Sequence, residues 1–416
     1  MKILQIAHCF PPESMTGAEI CAYNLAKRLS DKHEVSVFYR INDPLKKDYE
    51  VIKNGFEGIR VYKINNTLRH YNSIEKVYHN KRIEEAFAEV LKEAKPDIAH
   101  IHHLLFLSLG IIAILRKSNI PIVFTLHDYW LICPRGQLLR PDCSLCKEPF
   151  KANCLFCLAM GMNPKNLAKR LLKLPIGKKF SRDLKDICGK VDLFIAPSNH
   201  LRNRFIKFGV PPEKIVYSDN GMDISLFKDT EKTASDKIRF GFIGTLIPSK
   251  GAHVLIKAFN KIREGKAVLK IYGKSPVNNG IFDYYHRINR MARNNKNIKF
   301  MGTYDNKDVA KIFKKIDILI FPSLWQENAP LVLREAILTK TPVIASDIGG
   351  APDIIRHGKN GFLFKAGDEE QLSKFMQDII KNPSYIDDFK KYHVNIKNID
   401  DNARELENIY YENIKN

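Results

Sequence analysis

Short apolar runs alternate with amphipathic helical patterns along most of the chain. The first run, residues 2–8 (KILQIAH), is followed by a helical pattern at 17–30 (GAEICAYNLAKRLS) and by a second run at 33–40 (HEVSVFYR). Apolar runs of this length, separated by helices of about 10–15 residues, predict parallel strands connected by crossover helices. The pattern therefore predicts an α/β fold built on parallel sheets.

The same series begins again near the middle of the chain. Residues 238–245 (IRFGFIGT) resemble an opening strand, and 251–262 (GAHVLIKAFNKI) resemble its helix. Between the two series, residues 217–237 are polar and rich in turn formers, which indicates a linker. We therefore predict two Rossmann-like, doubly wound domains, 1–216 and 238–398, that face each other across a cleft.

In parallel sheets, ligands bind outside the carboxyl ends of the strands, on loops that lead into helices. The stretch 326–336 (QENAPLVLREA) contains such a loop. Glu327 lies in it, and Pro330 fits the first position of the next helix, where its missing N–H costs nothing. The N–H groups of Leu331 to Leu333 would then be unpaired, and a helix start of this kind binds anions.

Glu335 falls in the second turn of that helix, where its carboxylate can accept hydrogen bonds from the hydroxyls of a ribose. Glu327 can do the same for another hydroxyl-bearing group. A ligand with phosphate between two polyols fits both residues, which points to a nucleotide sugar. The alternative is one capping Glu and one exposed helical Glu, since exposed Glu is common on helices.

A second strand-to-helix loop is GTLIPSKGAH (244–253). Gly244 lets the backbone approach a ligand closely, and Lys250 can place its ammonium on a diphosphate. A solvent-exposed lysine is the alternative, but a cation is slightly unfavourable near a helix start, which favours the functional interpretation. Gly17, after the first strand, and His127, at the end of another, are weaker candidates by the same placement.

Five of the eight cysteines fall within residues 133–157. Two C-x-x-C pairs can together hold one structural zinc ion: Cys143 with Cys146, and Cys154 with Cys157. Cys133 is an alternative ligand to Cys143. A reduced cysteine-rich loop without metal is the other interpretation, since the chain is expected in a reducing compartment.

The formal net charge of +21 suits anionic ligands or surfaces. Nine Lys and Arg residues against two Asp, with leucines at helical spacing, lie in 165–190. This segment predicts a peripheral membrane contact, with two helices that have a solvated face as the alternative. No recognised nucleic-acid module occurs, so we expect no nucleic-acid partner. Because no run reaches the ~18 apolar residues of a membrane span and the start lacks a cleavage pattern, we expect a cytoplasmic protein, or one at the inner face of the membrane.

Four segments, in this order and spacing, resemble the retaining glycosyltransferases of family 4, which have the two-domain GT-B fold. They are the glycine loop and helix at 16–38, the segment IVYSDNGMDISLF at 215–227, the phosphate-lysine loop at 243–259 and the paired-glutamate stretch at 321–355. In that fold the last helix crosses back to the first domain. The resemblance therefore implies that the terminal helix, within 399–416, packs there.

The resemblance implies catalytic roles for Glu327, Lys250 and His127. It implies donor-binding roles for eight residues: Gly17, Gly244, Thr245, Asn328, Ala329, Pro330, Leu331 and Glu335. In these roles Lys250 neutralises the diphosphate leaving group, Glu335 holds the ribose and His127 lies near the sugar. Many family members carry an Arg where this chain has Thr245, so Lys250 would act here with another basic residue or with the helix start.

The leading hypothesis is a retaining hexosyltransferase that moves a sugar from a nucleotide-diphosphate sugar to a glycan or lipid-linked acceptor of a cell-surface polysaccharide or glycolipid. No Asp-x-Asp pair occurs in the chain, so we expect no catalytic metal. The alternatives are a nucleotide-sugar epimerase or phosphorylase on the same fold, and a non-catalytic, zinc-bearing protein that binds sugar nucleotides.

Overall fold

The computed structural model describes most of the chain. The described residues are 1–70, 75–147, 154, 157, 186–228, 231–262, 265–275 and 282–415. The chain divides into two compact units. Unit 1 comprises Met1–Gly136, Glu148–Asp223 and Lys397–Asn416, and unit 2 comprises Gln137–Lys147 and Ile224–Ile396.

Unit 1 is built on one eight-stranded sheet. Its strands are β1 (Lys2–Ala7), β2 (Glu34–Ile41), β3 (Val51–Phe56), β4 (Ile59–Asn65), β5 (Ile98–Ile101), β6 (Ile122–Thr125), β7 (Leu193–Ala196) and β8 (Ile215–Tyr217). They lie in the order β3-β4-β2-β1-β5-β6-β7-β8. All neighbours are parallel except the β3–β4 pair at the edge.

Helices connect these strands, as the alternating pattern predicts. They are α1 (Gly17–Leu29), α2 (Glu75–Tyr78), α3 (Lys81–Ala94), α4 (Gly110–Lys117) and α5 (Asn199–Phe208), with the terminal helix α13 (Ile399–Lys415). The central strands are buried along almost their whole length, which is why they read as continuous apolar runs.

Unit 2 is built on one six-stranded sheet that is parallel throughout. Its strands are β9 (Ile238–Ile243), β10 (Ala267–Tyr272), β11 (Ile298–Gly302), β12 (Ile318–Phe321), β13 (Val343–Ser346) and β14 (Gly361–Phe364), in the order β11-β10-β9-β12-β13-β14. Its helices are α6 (Ala252–Asn260), α7 (Phe282–Ala292), α8 (Val309–Phe313), α9 (Leu331–Leu338), α10 (Ala351–Ile354), α11 (Glu369–Lys381) and α12 (Ser384–Lys390). The predicted class, two α/β units with parallel sheets, is confirmed.

Each sheet reverses its strand order once. In unit 1, the chain leaves β1 for β2 on one side of it and later returns to β5 on its other side. In unit 2, β9 lies in the same way between β10 and β12. At such a reversal the two loops that leave the sheet diverge and open a crevice at the carboxyl ends of the strands. The topology therefore marks the loops after β1 and β5, and those after β9 and β12, as places where ligands bind.

Helix α13 is held in the core of unit 1 by a buried polar chain. Leu406 and Tyr410 pack in the same apolar cluster as residues of α1, β1 and β2. The Tyr410 hydroxyl lies 2.6 Å from Nδ1 of His100, and Nε2 of His100 lies 2.7 Å from the Thr125 hydroxyl. Burial lowers the pKa of His100 to about 3, so its ring is neutral and needs both hydrogen bonds.

Within the described residues, no helix is both long and apolar enough to cross a membrane. The basic segment 165–190, for which we predict a membrane contact, lies outside the described residues except for 186–190.

We expect Tyr410→Phe to destabilise the protein by about 1–3 kcal/mol, because it leaves a buried nitrogen of His100 without a partner while it preserves the ring packing. Urea denaturation measures the change. Tyr411→Phe is the matched control, since Tyr411 is 45% exposed on the same helix. Equal stability of the two variants would show that the buried hydrogen bond contributes nothing.

Candidate active site

The crevice of unit 2 is bounded by two loops that are joined to each other. Gly251 has φ 73°, and a Cβ at this position would lie 1.8 Å from the carbonyl oxygen of Pro322. The Leu324 N–H donates to the carbonyl of Ser249 over 2.8 Å. Only glycine permits this approach, so the loop after β9 is fixed against the loop after β12.

An ion pair connects the same two loops. Nζ of Lys250 lies 2.6 Å from Oε2 of Glu327, and the ammonium also lies over the Trp325 ring, 5.7 Å from its centroid. Glu327 is 7% exposed, and its other oxygen, Oε1, is buried without a hydrogen-bond partner among the described residues. A buried carboxylate oxygen without a donor is costly, which indicates that a ligand hydroxyl completes this position.

A third loop, after β13, fixes the backbone of Glu327. The Gly350 N–H donates to the Glu327 carbonyl over 2.7 Å. A Cβ at Gly349, which has φ 64°, would lie 2.4 Å from the same oxygen. The glycine pair at the end of β13 therefore holds the peptide of Glu327 in place.

Helix α9 begins beside this ion pair. Pro330 is the residue before the helix, with φ −66° and ψ 117°, and no side chain caps the first turn. The sequence-based placement of Pro330 inside the helix is wrong by one residue, because its ψ is extended. The Leu333 N–H donates to the Pro330 carbonyl over 3.2 Å, so the prediction that this amide is unpaired is also wrong. Leu331 and Val332 are the first two residues of the helix, and among the described residues their N–H groups donate no backbone hydrogen bond of this kind.

Glu335 lies half-buried in the second turn of α9. Among the described residues, nothing forms a hydrogen bond or an ion pair with its carboxylate, and burial raises its pKa to about 7. Burial, and after it the charge of Glu335, raises the pKa of Tyr304, which follows β11. A carboxylate in this state gains stability from any ligand that donates hydrogen bonds to it.

The remaining predicted donor-binding residues of unit 2 follow the same strands. Gly244 directly follows β9 and donates its N–H to the Tyr272 carbonyl over 3.1 Å, and Thr245 comes next. Asn328, which is 5% exposed, and Ala329 lie between Glu327 and α9. Five buried polar atoms without a partner in the described chain lie at the ends of β10, β12 and β13: Tyr272 Oη, Ser275 Oγ, Trp325 Nε1, Glu327 Oε1 and Ser346 Oγ. Trp325 and Ser346 carry no sequence signal that marks them as site residues.

In unit 1, histidines from two loops meet at the reversal between β1 and β5. His8 follows β1, and His102 and His103 follow β5. The rings of His8 and His103 lie 4.6 Å apart between centroids. We call these residues, together with Glu19, His127 and Asp128, the histidine cluster.

Glu19 is a buried carboxylate at the start of α1. It lies 3.2 Å from Nε2 of His8 and accepts hydrogen bonds from the hydroxyls of Ser14 and Thr16. Burial by itself raises the pKa of Glu19, but the hydrogen bonds from His8 and Thr16 outweigh it and lower the pKa to about 2. Glu19 is therefore ionised at neutral pH.

His127 joins this cluster from the loop after β6. Its Nε2 lies 3.0 Å from Nδ1 of His102, and Oδ2 of Asp128 lies 3.3 Å from Nε2 of His103. Burial lowers the pKa of His127 to about 4, so the ring is neutral at pH 7 and can accept or donate a hydrogen bond. Gly17 is the exposed first residue of α1, two positions before Glu19.

Among the described residues, the structure shows no metal site at the cysteine pairs. The Cys143 N–H donates to the Arg140 carbonyl over 2.9 Å and the Cys146 N–H to the Leu138 carbonyl over 2.8 Å, which closes a turn. Over the described residues, which include all five cysteines of 133–157, no group of three or more His, Cys, Asp or Glu can hold a metal ion. The zinc site with Cys154 and Cys157 therefore stays a prediction without structural support.

Comparison with known proteins gives relatives over the full length. The chain is 26% identical over 409 residues to a Klebsiella pneumoniae protein described as an uncharacterized 42.6 kDa protein in the cps region, which covers 95% of this chain and 96% of that protein. It is 22% identical to spore coat protein SA of Bacillus subtilis, over 94% and 93% of the two chains.

Solved structures with the same fold include a glycosyltransferase and a protein that binds UDP. A glycosyltransferase from Rickettsia africae is 17% identical with a TM-score of 0.72, over 100% and 98% of the chains. HepE from Anabaena, in complex with UDP, is 19% identical with a TM-score of 0.67, over 100% and 97%. At this identity the likeness concerns the fold.

Two family models together cover both units. "Glycosyl transferases group 1" matches residues 223–397, and "Glycosyltransferase Family 4" matches residues 15–226, just over half of the chain. The first match contains Lys250, Glu327 and Glu335, and the second contains the histidine cluster apart from His8. The chain is a glycosyltransferase, and it belongs to glycosyltransferase family 4.

Proposed function

We propose that this protein is a retaining hexosyltransferase that transfers a sugar from a nucleotide-diphosphate sugar to a glycan or lipid-linked acceptor of the cell surface. The observation that carries the proposal is the Lys250–Glu327 ion pair at the strand reversal of unit 2, beside the start of α9. It combines a cation for a diphosphate with a buried carboxylate oxygen for a sugar hydroxyl.

Each part of the donor has its own contacts in the crevice of unit 2. The diphosphate contacts the ammonium of Lys250 and the leading amides of α9, the sugar hydroxyls donate to Oε1 of Glu327, and the ribose diol donates to Glu335. The UDP and UDP-glucose bound in the HepE structures make these two compounds the first probes.

Bond cleavage transfers negative charge to the leaving diphosphate. Lys250 stabilises that charge in the transition state, and it is already fixed by Glu327, so little reorganisation is needed. The helix amides contribute in the same direction. The absence of an Asp-x-Asp pair in the sequence supports metal-independent transfer.

In unit 1, His127 contributes a neutral imidazole. Because burial lowers its pKa, the ring is neutral at pH 7, and it can form a hydrogen bond with a sugar hydroxyl. Glu19 and the neighbouring histidines hold the loops after β1, β5 and β6 around it.

The direct test of the function is an assay of UDP release from UDP-glucose and other sugar nucleotides, with and without lipid and glycan acceptor extracts and with EDTA. We expect release that requires acceptor and survives EDTA, and proton NMR of the product showing the anomeric configuration of the donor. Conversion of the donor to another sugar nucleotide without acceptor would identify an epimerase. Turnover that depends on phosphate would identify a phosphorylase, and donor binding without turnover would identify a non-catalytic protein. An inverted product would contradict retention.

We expect Lys250→Ala to lower kcat/KM for the donor about 100- to 1,000-fold, the usual effect of removing one electrostatic donor from a transition state. Steady-state kinetics measures this. Lys257→Ala is the matched control, since Lys257 is 53% exposed and pairs with Glu369 in the same unit. If both variants retain full activity, Lys250 has no part in catalysis.

We expect UDP-glucose to bind more tightly as pH rises from about 6 to 8. Glu335 titrates near pH 7, and only its ionised form accepts hydrogen bonds from both ribose hydroxyls, so affinity falls by up to about tenfold for each pH unit below 7. Calorimetry in buffers of different ionisation enthalpy measures the accompanying proton release. Glu335→Gln should bind with little pH dependence. An unchanged pH profile in this variant would remove Glu335 from the nucleotide site.

A further inference from the structure

Unit 1 contains a cavity of about 650 Å³ beside the start of α3. The described residues that line it lie in 47–49, at 70 and 76, and in 79–82, and none of them belongs to the histidine cluster. The volume is in the range of about 300–1,000 Å³ that holds small-molecule ligands. The cavity is therefore large enough for a monosaccharide phosphate.

The lining is strongly basic. Six basic side chains contribute to it: Lys47, His70, Lys76, His79, Lys81 and Arg82. The only carboxylate among the described lining residues is Asp48, which accepts hydrogen bonds of 2.8 and 2.9 Å from Thr67 and lies 3.3 Å from Nε2 of His70. Asp48 is therefore already compensated, and the cavity presents a positive potential that favours anions.

Two of these cations occupy the first turn of α3. Positive charge at this end of a helix is opposed by the helix dipole, and the first amides of the turn attract anions instead. In the described part of the chain, no carboxylate lies within 4.0 Å of the side-chain nitrogens of Lys47, Lys81 or Arg82. Glu84, the acidic residue of the same turn, accepts a hydrogen bond from the Ser108 hydroxyl and, among the described residues, forms no ion pair with these cations. The two cations are therefore available to an anionic ligand.

The polar groups of the cavity suit a phosphate ester better than a bare anion. Lys and Arg side chains form charge-assisted hydrogen bonds with phosphate oxygens. The Tyr49 hydroxyl lies 3.4 Å from Nδ2 of Asn80, and the rings of Tyr49 and His70 lie 6.3 Å apart, which provides hydroxyl, amide and ring surfaces for the esterified polyol.

We propose that this cavity binds the phosphate ester of the acceptor, either a soluble sugar phosphate or the phosphate of a lipid headgroup. That the ligand is the acceptor rests on the proposed function. That the cavity binds a phosphate ester rests on its lining alone.

Binding of glucose 6-phosphate and of glucose, measured by calorimetry at low and at high salt, tests the first source. Sedimentation with phosphatidylcholine vesicles, with and without phosphatidic acid, tests the second. Lys81→Ala/Arg82→Ala removes two cations of the cavity. Lys92→Ala/Lys117→Ala is the control of equal charge, because Lys92 is exposed on the same helix and pairs with Glu89.

We expect the full-length protein to prefer one phosphate-bearing probe over its neutral counterpart, and the Lys81/Arg82 variant to bind that probe about 10- to 100-fold more weakly. The control variant should bind it normally, and both variants should keep the wild-type melting temperature and UDP-glucose affinity. Tighter binding of glucose 6-phosphate than of glucose would identify a soluble ligand. Stronger binding to vesicles with phosphatidic acid than to those without it would identify a lipid headgroup.

The proposal is overturned if the protein does not distinguish either phosphate probe from its neutral counterpart, or if both variants lose binding equally. These results are separable from the proposed function. A protein that turns over UDP-glucose without phosphate selectivity keeps the function and loses this site. A protein that binds the phosphate probe through Lys81 and Arg82 without any sugar transfer keeps the site and loses the function.

Discussion

The candidate active site depends on one ion pair in unit 2, between Lys250 and Glu327. These residues lie 77 positions apart in the chain, and they meet because β9 and β12 are neighbours at the strand reversal of the sheet. A partly buried carboxylate and ammonium tolerate this position only when each compensates the other. Their mutual attraction fixes a cation at the crevice, while the second oxygen of the carboxylate, Oε1, keeps no hydrogen-bond partner among the described residues.

The histidine cluster of unit 1 follows a different physical rule. Burial lowers the pKa of His102 and His127, so these rings act as hydrogen-bonding groups instead of cations. Glu19 keeps its negative charge because neighbouring groups donate hydrogen bonds to it. Neutral rings of this kind suit hydrogen bonds with sugar hydroxyls, which is the role proposed for His127.

The fold could be predicted from the sequence because buried parallel strands and amphipathic helices produce distinct patterns. Lys250, Glu327 and Glu335 could be identified because each lies in or just after a loop that follows a predicted strand. The ion pair between Lys250 and Glu327 could not be predicted, since periodicity does not give the order of the strands in the sheet. For the same reason His8, Glu19 and His103 were missed: they become neighbours only when β1 and β5 lie side by side.

Two local predictions failed for physical reasons. Pro330 lies outside α9 because its ψ of 117° is extended, and the Leu333 amide is used by a turn inside the first residues of the helix. The zinc site stays a prediction, since cysteine spacing alone does not ensure that the side chains converge on one ion. The basic cavity beside α3 could not be predicted from the sequence, because its basic residues are spread from Lys47 to Arg82 and become neighbours only in the folded unit.

Hydrogen–deuterium exchange of the protein with and without UDP tests whether the Lys250–Glu327 ion pair lies at the diphosphate site. If the ion pair marks the diphosphate site, UDP should slow exchange in the loops after β9 and β12 and in the first turn of α9, and it should leave the edge strands β3 and β11 unchanged. Saturating UDP that protects none of these segments, or protects only segments of unit 1, would contradict the account.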